Sequence, residues 1–151
     1  MKVNAPNEKW LRVKVDGTNY TGTAGTSDLT SEAIDTAGYE GAEIFTGFGA
    51  ITSGAVTSVK VQQCDTSGGT YADLTGTAIT VADDDDNQMT HHVIFNPQEQ
   101  YLKVVTDRGT QNAVVDFMLV KLFGARTIPT TDDTATVVSR EIHVRPVEGT
   151  A

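Results

Sequence analysis

Along the chain, apolar residues alternate with polar ones in short runs, and no stretch keeps apolar residues at i, i+3, i+4 and i+7 for the length of a helix. In Lys9 to Val15, Leu11, Val13 and Val15 share one face of a predicted strand, and Trp10, Arg12 and Lys14 take the other. Asp16-Gly17 signals a turn, so Asn19 to Thr23 reads as a return strand of a hairpin. Gly25 to Ser31 is polar and irregular. Leu29 to Thr36 leads into the turn-like Ala37 to Gly41, and Ala42 to Ala50 predicts a strand with Ile44, Thr46 and Phe48 on one face and Phe45 on the other.

The next strand, Val56 to Cys64, points Val59 and Val61 inward and Lys60 and Gln62 outward. Asp65 to Thr70 is a hairpin loop, with a return strand beginning over Tyr71 to Leu74. Thr77 to Val81 is short, and Met89 to Phe95 sets Val93 and Phe95 opposite His92 and Ile94. After the turn at Asn96-Pro97 come a strand at Tyr101 to Val105, a loop at Asp107 to Gly109, and the apolar run Ala113 to Phe123. The middle of that run reads as buried on both faces.

Strands at this spacing predict an all-β chain, a β-sandwich or jelly-roll-like domain, with N- and C-terminal extensions. Residues 26–123 form the expected core, 1–25 an N-terminal arm or added hairpin, and 124–151 a C-terminal arm. Thr136 to Arg145 alternates well enough for a strand, either the last of its own sheet or one added to a neighbouring subunit. Composition agrees: Val and Ile outnumber Leu and Met more than two to one and Thr is abundant, which favours sheet over helix. No apolar run is long enough for a membrane-spanning helix, and residues 1–8 lack the apolar core of a secretory signal.

Charge narrows the partners. A net charge of −9 with scattered Lys and Arg argues against nucleic acid and against an anionic membrane. Cys64 stands alone, so no intrachain disulfide forms, and it reads as a structural thiol. Asp83 to Asp86 lack the spacing and the bending glycine of a calcium loop and read as a solvated loop. His91 and His92 would face opposite ways on a strand, and His143 is distant in sequence, so no metal site is expected. Gly47-Phe48-Gly49 lies inside a strand and marks a bulge or close approach, not a phosphate loop. No nucleophile-and-base pattern or cofactor motif is present, so neither an enzyme nor a cofactor is expected. Trp10, Tyr20, Tyr39, Tyr71 and Tyr101 leave an alternative open: a virion-surface adhesion or carbohydrate-binding β-sandwich module.

One resemblance adds to this. Ile34-Asp35-Thr36-Ala37-Gly38-Tyr39-Glu40, the strand ending at Gly49-Ala50-Ile51-Thr52, Val59 to Asp65, the hairpin Ser67 to Leu74, Tyr101 to Val105 and the closing apolar strand are together similar to small structural proteins of tailed bacteriophages. The similarity covers roughly Leu29 to Phe123. It implies a head decoration, or cement, protein: a β domain on the outer face of the virion capsid, often a homotrimer, whose partners are the major capsid protein and itself. The segment after Phe123 extends beyond the pattern of the shorter relatives. Trp and Arg are favoured at interface hot spots, which makes Trp10, Arg12, Arg140, Ile142 and Arg145 the candidate partner contacts.

Overall fold

The computed structural model describes residues 7–143 and 145–149. Residues 1–6, on which most of the expectation about a secretory signal falls, lie outside the described residues. The described chain is an antiparallel β-sandwich of ten strands: β1 Lys9–Arg12, β2 Leu29–Thr30, β3 Ile34–Asp35, β4 Gly41–Ile51, β5 Thr57–Cys64, β6 Ala72–Asp73, β7 Ile79–Val81, β8 Met89–Phe95, β9 Tyr101–Arg108 and β10 Ala113–Phe123. The first sheet runs β1-β10-β4-β8. In the second, β9 lies beside β5, β2 and β3 both pair with β9, and β6 and β7 both pair with β5. Taken as two interrupted strands, β2/β3 and β6/β7 reduce the topology to eight strands in two four-stranded sheets, the connectivity of a jelly roll.

Alternation builds the core. Ile44, Val59, Val61, Leu102, Val104, Val115, Met118 and Val120 are fully buried between the sheets, joined by Val13 and Val15 from the segment after β1. Branched side chains suit this narrow interior because they lose little rotamer freedom on a pleated surface. In its described part, the expected N-terminal segment contributes directly to the sandwich. β1 pairs with β10 at the sheet edge, and the Val13 amide donates to the Met118 carbonyl at 2.9 Å.

Several expectations need correction. The turn at Asp16-Gly17 forms: the Asp16 carboxylate accepts from the Thr18 and Asn19 amides at 2.8 and 2.6 Å, and Gly17 has φ 78°. Asn19 to Thr23, however, makes no strand; the chain drapes over β10, with Gly22 donating to the Val115 carbonyl at 2.8 Å. β9 continues to Arg108, where a loop was expected, because the Arg108 side chain is buried and ties down residues 23–28. β10 is not buried on both faces. Its register shifts between Ala113 and Phe117, so Asp116 and Phe117 both turn outward while Val115 and Met118 both turn in.

Thr136 to Arg145 is not a strand among its described residues. The segment that contains it instead covers the outer edge of β1. The Trp10 amide donates to Asp132 Oδ1 at 2.7 Å and the Arg12 amide to Thr136 Oγ1 at 3.1 Å. The Asp133 amide donates to the Trp10 carbonyl at 3.2 Å, and Thr130 Oγ1 and Arg140 Nη2 reach the Glu8 carbonyl at 2.5 and 3.2 Å. An edge strand is an exposed template for further pairing, and here it is occupied mostly by side chains.

Candidate interaction face

The two outward faces of the sandwich differ in chemistry. On the second sheet, Ser58, Lys60 and Gln62 of β5 stand beside Lys103 and Asp107 of β9, and Lys60 pairs with Asp73 at 2.7 Å. On the first sheet, the outward positions are Trp10 and Arg12 of β1, Asp116, Phe117, Leu119, Lys121 and Phe123 of β10, Glu43 and Phe45 of β4, and Met89, His91, Val93 and Phe95 of β8. Polar side chains dominate one face and apolar ones the other.

Register explains how the apolar face is assembled. Arg12, Leu119, Phe45 and His91 form one row across four strands, and Trp10, Lys121, Glu43 and Val93 form the next. The Trp10 and Phe45 rings stack with centroids 6.4 Å apart, and Phe45 stacks on His91 at 4.3 Å. Phe95 stacks on Phe123 at 6.2 Å across the width of β4. Glycine makes that crossing possible: a Cβ on Gly41 would sit 2.7 Å from the Phe123 ring, and one on Gly47 would sit 2.1 Å from the Phe117 ring. The Phe117 and Phe123 rings therefore reach over β4.

Charges within this face neutralise each other. Lys121 Nζ is 2.6 Å from Glu43 and 3.9 Å from Glu8, and lies 5.9 Å from the centre of the Trp10 ring. His91 Nε2 is 3.3 Å from the other Glu43 oxygen. Most of the chain's surplus acid lies elsewhere, much of it in loops such as 83–86. Low charge with aromatic enrichment is the composition of an interface core. Along β8 the apolar residues are also the most open: Met89, Val93 and Phe95 are 58%, 56% and 61% exposed.

Three of the five sequence-derived contact residues meet at the β1 edge. Trp10 and Arg12 lie in the strand, and Arg140 Nη2 joins the Trp10 amide on the same Asp132 oxygen. Arg12 Nη2 donates to the Tyr20 carbonyl at 3.2 Å and to Thr21 Oγ1 at 3.3 Å. Ile142 lines a surface cleft with Thr130, Asp132 and Arg140 of the covering segment and is still half exposed, while Arg145 lies exposed further along. Phe45, His91, Phe95, Phe117 and Phe123 share the same face and are not among the residues singled out from the sequence. The signal was β8 itself, whose two alternating faces both carry apolar side chains.

The remaining candidates fall apart spatially. His92 points inward, donating from Nε2 to the Thr77 carbonyl at 2.7 Å. Burial pulls its pKa below the ordinary histidine value; the Thr77 hydrogen bond opposes this and neighbouring His91 adds to it. Its Nδ1 is buried without a partner. Cys64 is buried beside Asp65 and Thr66. In the acidic loop, Asp83 accepts from the Gly54 amide and Asp85 from the Ala82 amide. Among the described residues no three His, Cys, Asp or Glu side chains converge to hold a metal. Tyr20, Tyr39 and Tyr71 are likewise dispersed: Tyr20 lies by Arg12 and Lys14, Tyr39 packs on the core, and Tyr71 lies under Lys103.

No family model and no curated protein matches the chain. Among solved structures, it is similar to a chain in the structure of infectious bursal disease virus, Gx strain, at 13% identity and a TM-score of 0.28. The alignment covers 84% of this chain and 32% of that one. At that score the likeness carries no argument about function.

Proposed function

We propose that the chain is a virion structural protein that decorates and stabilises the outer surface of a phage capsid. In this reading it binds across joints between major capsid subunits as a homotrimer and works by binding, without turnover or a cofactor. The observation that carries the reading is the aromatic face, with its charges paired, on one side of an otherwise acidic sandwich. A face of this composition gains by leaving water against a partner. The acidic remainder suits an outer location, where it keeps the particle soluble. The similarity of Leu29 to Phe123 to phage decoration proteins supplies the choice of partner.

Binding would stabilise the shell by linkage. A ligand that recognises assembled subunits and not separated ones contributes about 4 kcal/mol per site at a thousand times its Kd. Three linked copies rebind at high effective concentration, so a modest contact on each suffices. The test is gold-labelled antibody against this chain, applied to virions of the phage that encodes it. Labelling of the head exterior, lost together with heat resistance of the head when the gene is deleted, is the expected result. Label confined to the tail, or none on virions, overturns it.

The adhesion alternative keeps one supporting observation, the exposed ring surface of the same face, on a fold that also hosts lectins. Glycan-array binding abolished by Trp10→Ala would favour it.

A further inference from the structure

We infer that the open edge and outward row of β8 receive residues 141–149 of a second copy of this chain. β1 and β8 are the two edges of the first sheet. The β1 edge is already covered by residues 130–140 of the same chain. Among the described residues β8 pairs with β4 alone, and it carries the most exposed apolar side chains of the face: Met89, Val93 and Phe95. It is a strand edge with an apolar strip beside it, the arrangement to which an extended peptide adds as a strand.

The same chain supplies a matching segment. Beyond Arg140 the described residues are exposed, among them Ile142 at 53% and Val147 at 92%. Glu141-Ile142-His143-Val144-Arg145 alternates polar and β-branched residues, the pattern of a strand, yet its described residues form none within one copy. Nine extended residues reach ~30 Å, enough to run the ~23 Å of the seven-residue β8.

A second copy is the better occupant, because the segment's root is fixed at β1, the edge opposite β8. Each copy then gives a segment and accepts one, a head-to-tail joint that closes into a ring when the rotation permits. The inference rests on the proposed function only for the number of copies in that ring.

Sedimentation velocity of the purified full-length chain over a concentration series tests it. The wild type should self-associate reversibly. Val93→Glu with Phe95→Asp on β8, and separately Ile142→Asp with Val147→Asp in the segment, should each weaken association at least about tenfold. All four positions are exposed, and circular dichroism checks that both variants stay folded. Mixed together, the two variants should pair as a one-to-one heterodimer and go no further, since one still offers the segment and the other still offers β8. A wild type that stays monomeric to millimolar concentration overturns the inference. So does association that survives the segment substitutions, or folded variants that fail to pair. No capsid enters the measurement, so its failure leaves shell binding standing, and failure of shell binding leaves this joint standing.

Discussion

Replacing Arg108 with Met tests how the sandwich holds the irregular segment between β1 and β2. Arg108 is 5% exposed, and its guanidinium donates to three backbone carbonyls: Nη1 to Thr23 and Ala113 at 2.7 and 2.8 Å, and Nε to Ser27 at 2.6 Å. Gly25 passes so close that a Cβ there would lie 3.2 Å from Nη2. Methionine fills much of the volume and supplies no donor. A buried carbonyl without a partner costs about 1–3 kcal/mol; the 23–28 loop can admit some water, which puts the total near 3–5 kcal/mol. That is a large share of the roughly 5–15 kcal/mol available to a domain. Since each kcal/mol is worth about 2–4 °C at this size, Tm should fall by roughly 6–20 °C. Urea unfolding followed by Trp10 fluorescence and far-UV circular dichroism measures it. Arg108→Lys should recover only part of the loss, because one ammonium cannot replace a planar fork bonded in several directions. A variant within about 1 kcal/mol of the wild type would refute the reasoning.

Two further outcomes follow from the geometry. His92 has a pKa depressed in the folded chain, so the unfolded chain binds the extra proton first. Stability should hold above the ordinary histidine pKa of about 6.5 and decline below it, by up to about 1.4 kcal/mol per pH unit, until the folded pKa is passed. His92→Gln should flatten that part of a pH series of urea midpoints, and an unchanged slope would assign the titration to another group. Gly47→Ala would force its Cβ into the Phe117 ring, for a loss of about 1–3 kcal/mol in thermal or urea unfolding. The loss should shrink in a Phe117→Ala background, and equal losses in both backgrounds would exclude the contact.

Alternation made much of the sandwich legible. β8 follows its sequence pattern residue by residue and β5 does so as far as Gln62, and the inward and outward sets of β4 were readable from Ile44, Phe45, Thr46 and Phe48. What escaped depends on contacts between distant segments. The bulge in β10 is a register event against β4, invisible in a run whose residues are almost all apolar. Arg108 resembled a turn arginine because its acceptors lie as many as 85 residues away. The covering of β1 by Asp132, Thr136 and Arg140 has no local signature either; those residues looked like loop and arm. Of the candidate interaction face, Trp10 and Arg12 were singled out from residue type alone, while the ring cluster required knowing that β4 and β10 are neighbours.

The finish given to β1 has a consequence for growth of the sheet. Had the C-terminal segment joined as an eleventh strand, it would have met the amides of Trp10 and Arg12 but presented a fresh row of its own, moving the vulnerable rim outward by one place. A carboxylate and a hydroxyl satisfy the same donors and offer nothing onto which another chain can align. Extension from that side ends there, which gives the molecule a direction: one flank is sealed and the other is left available.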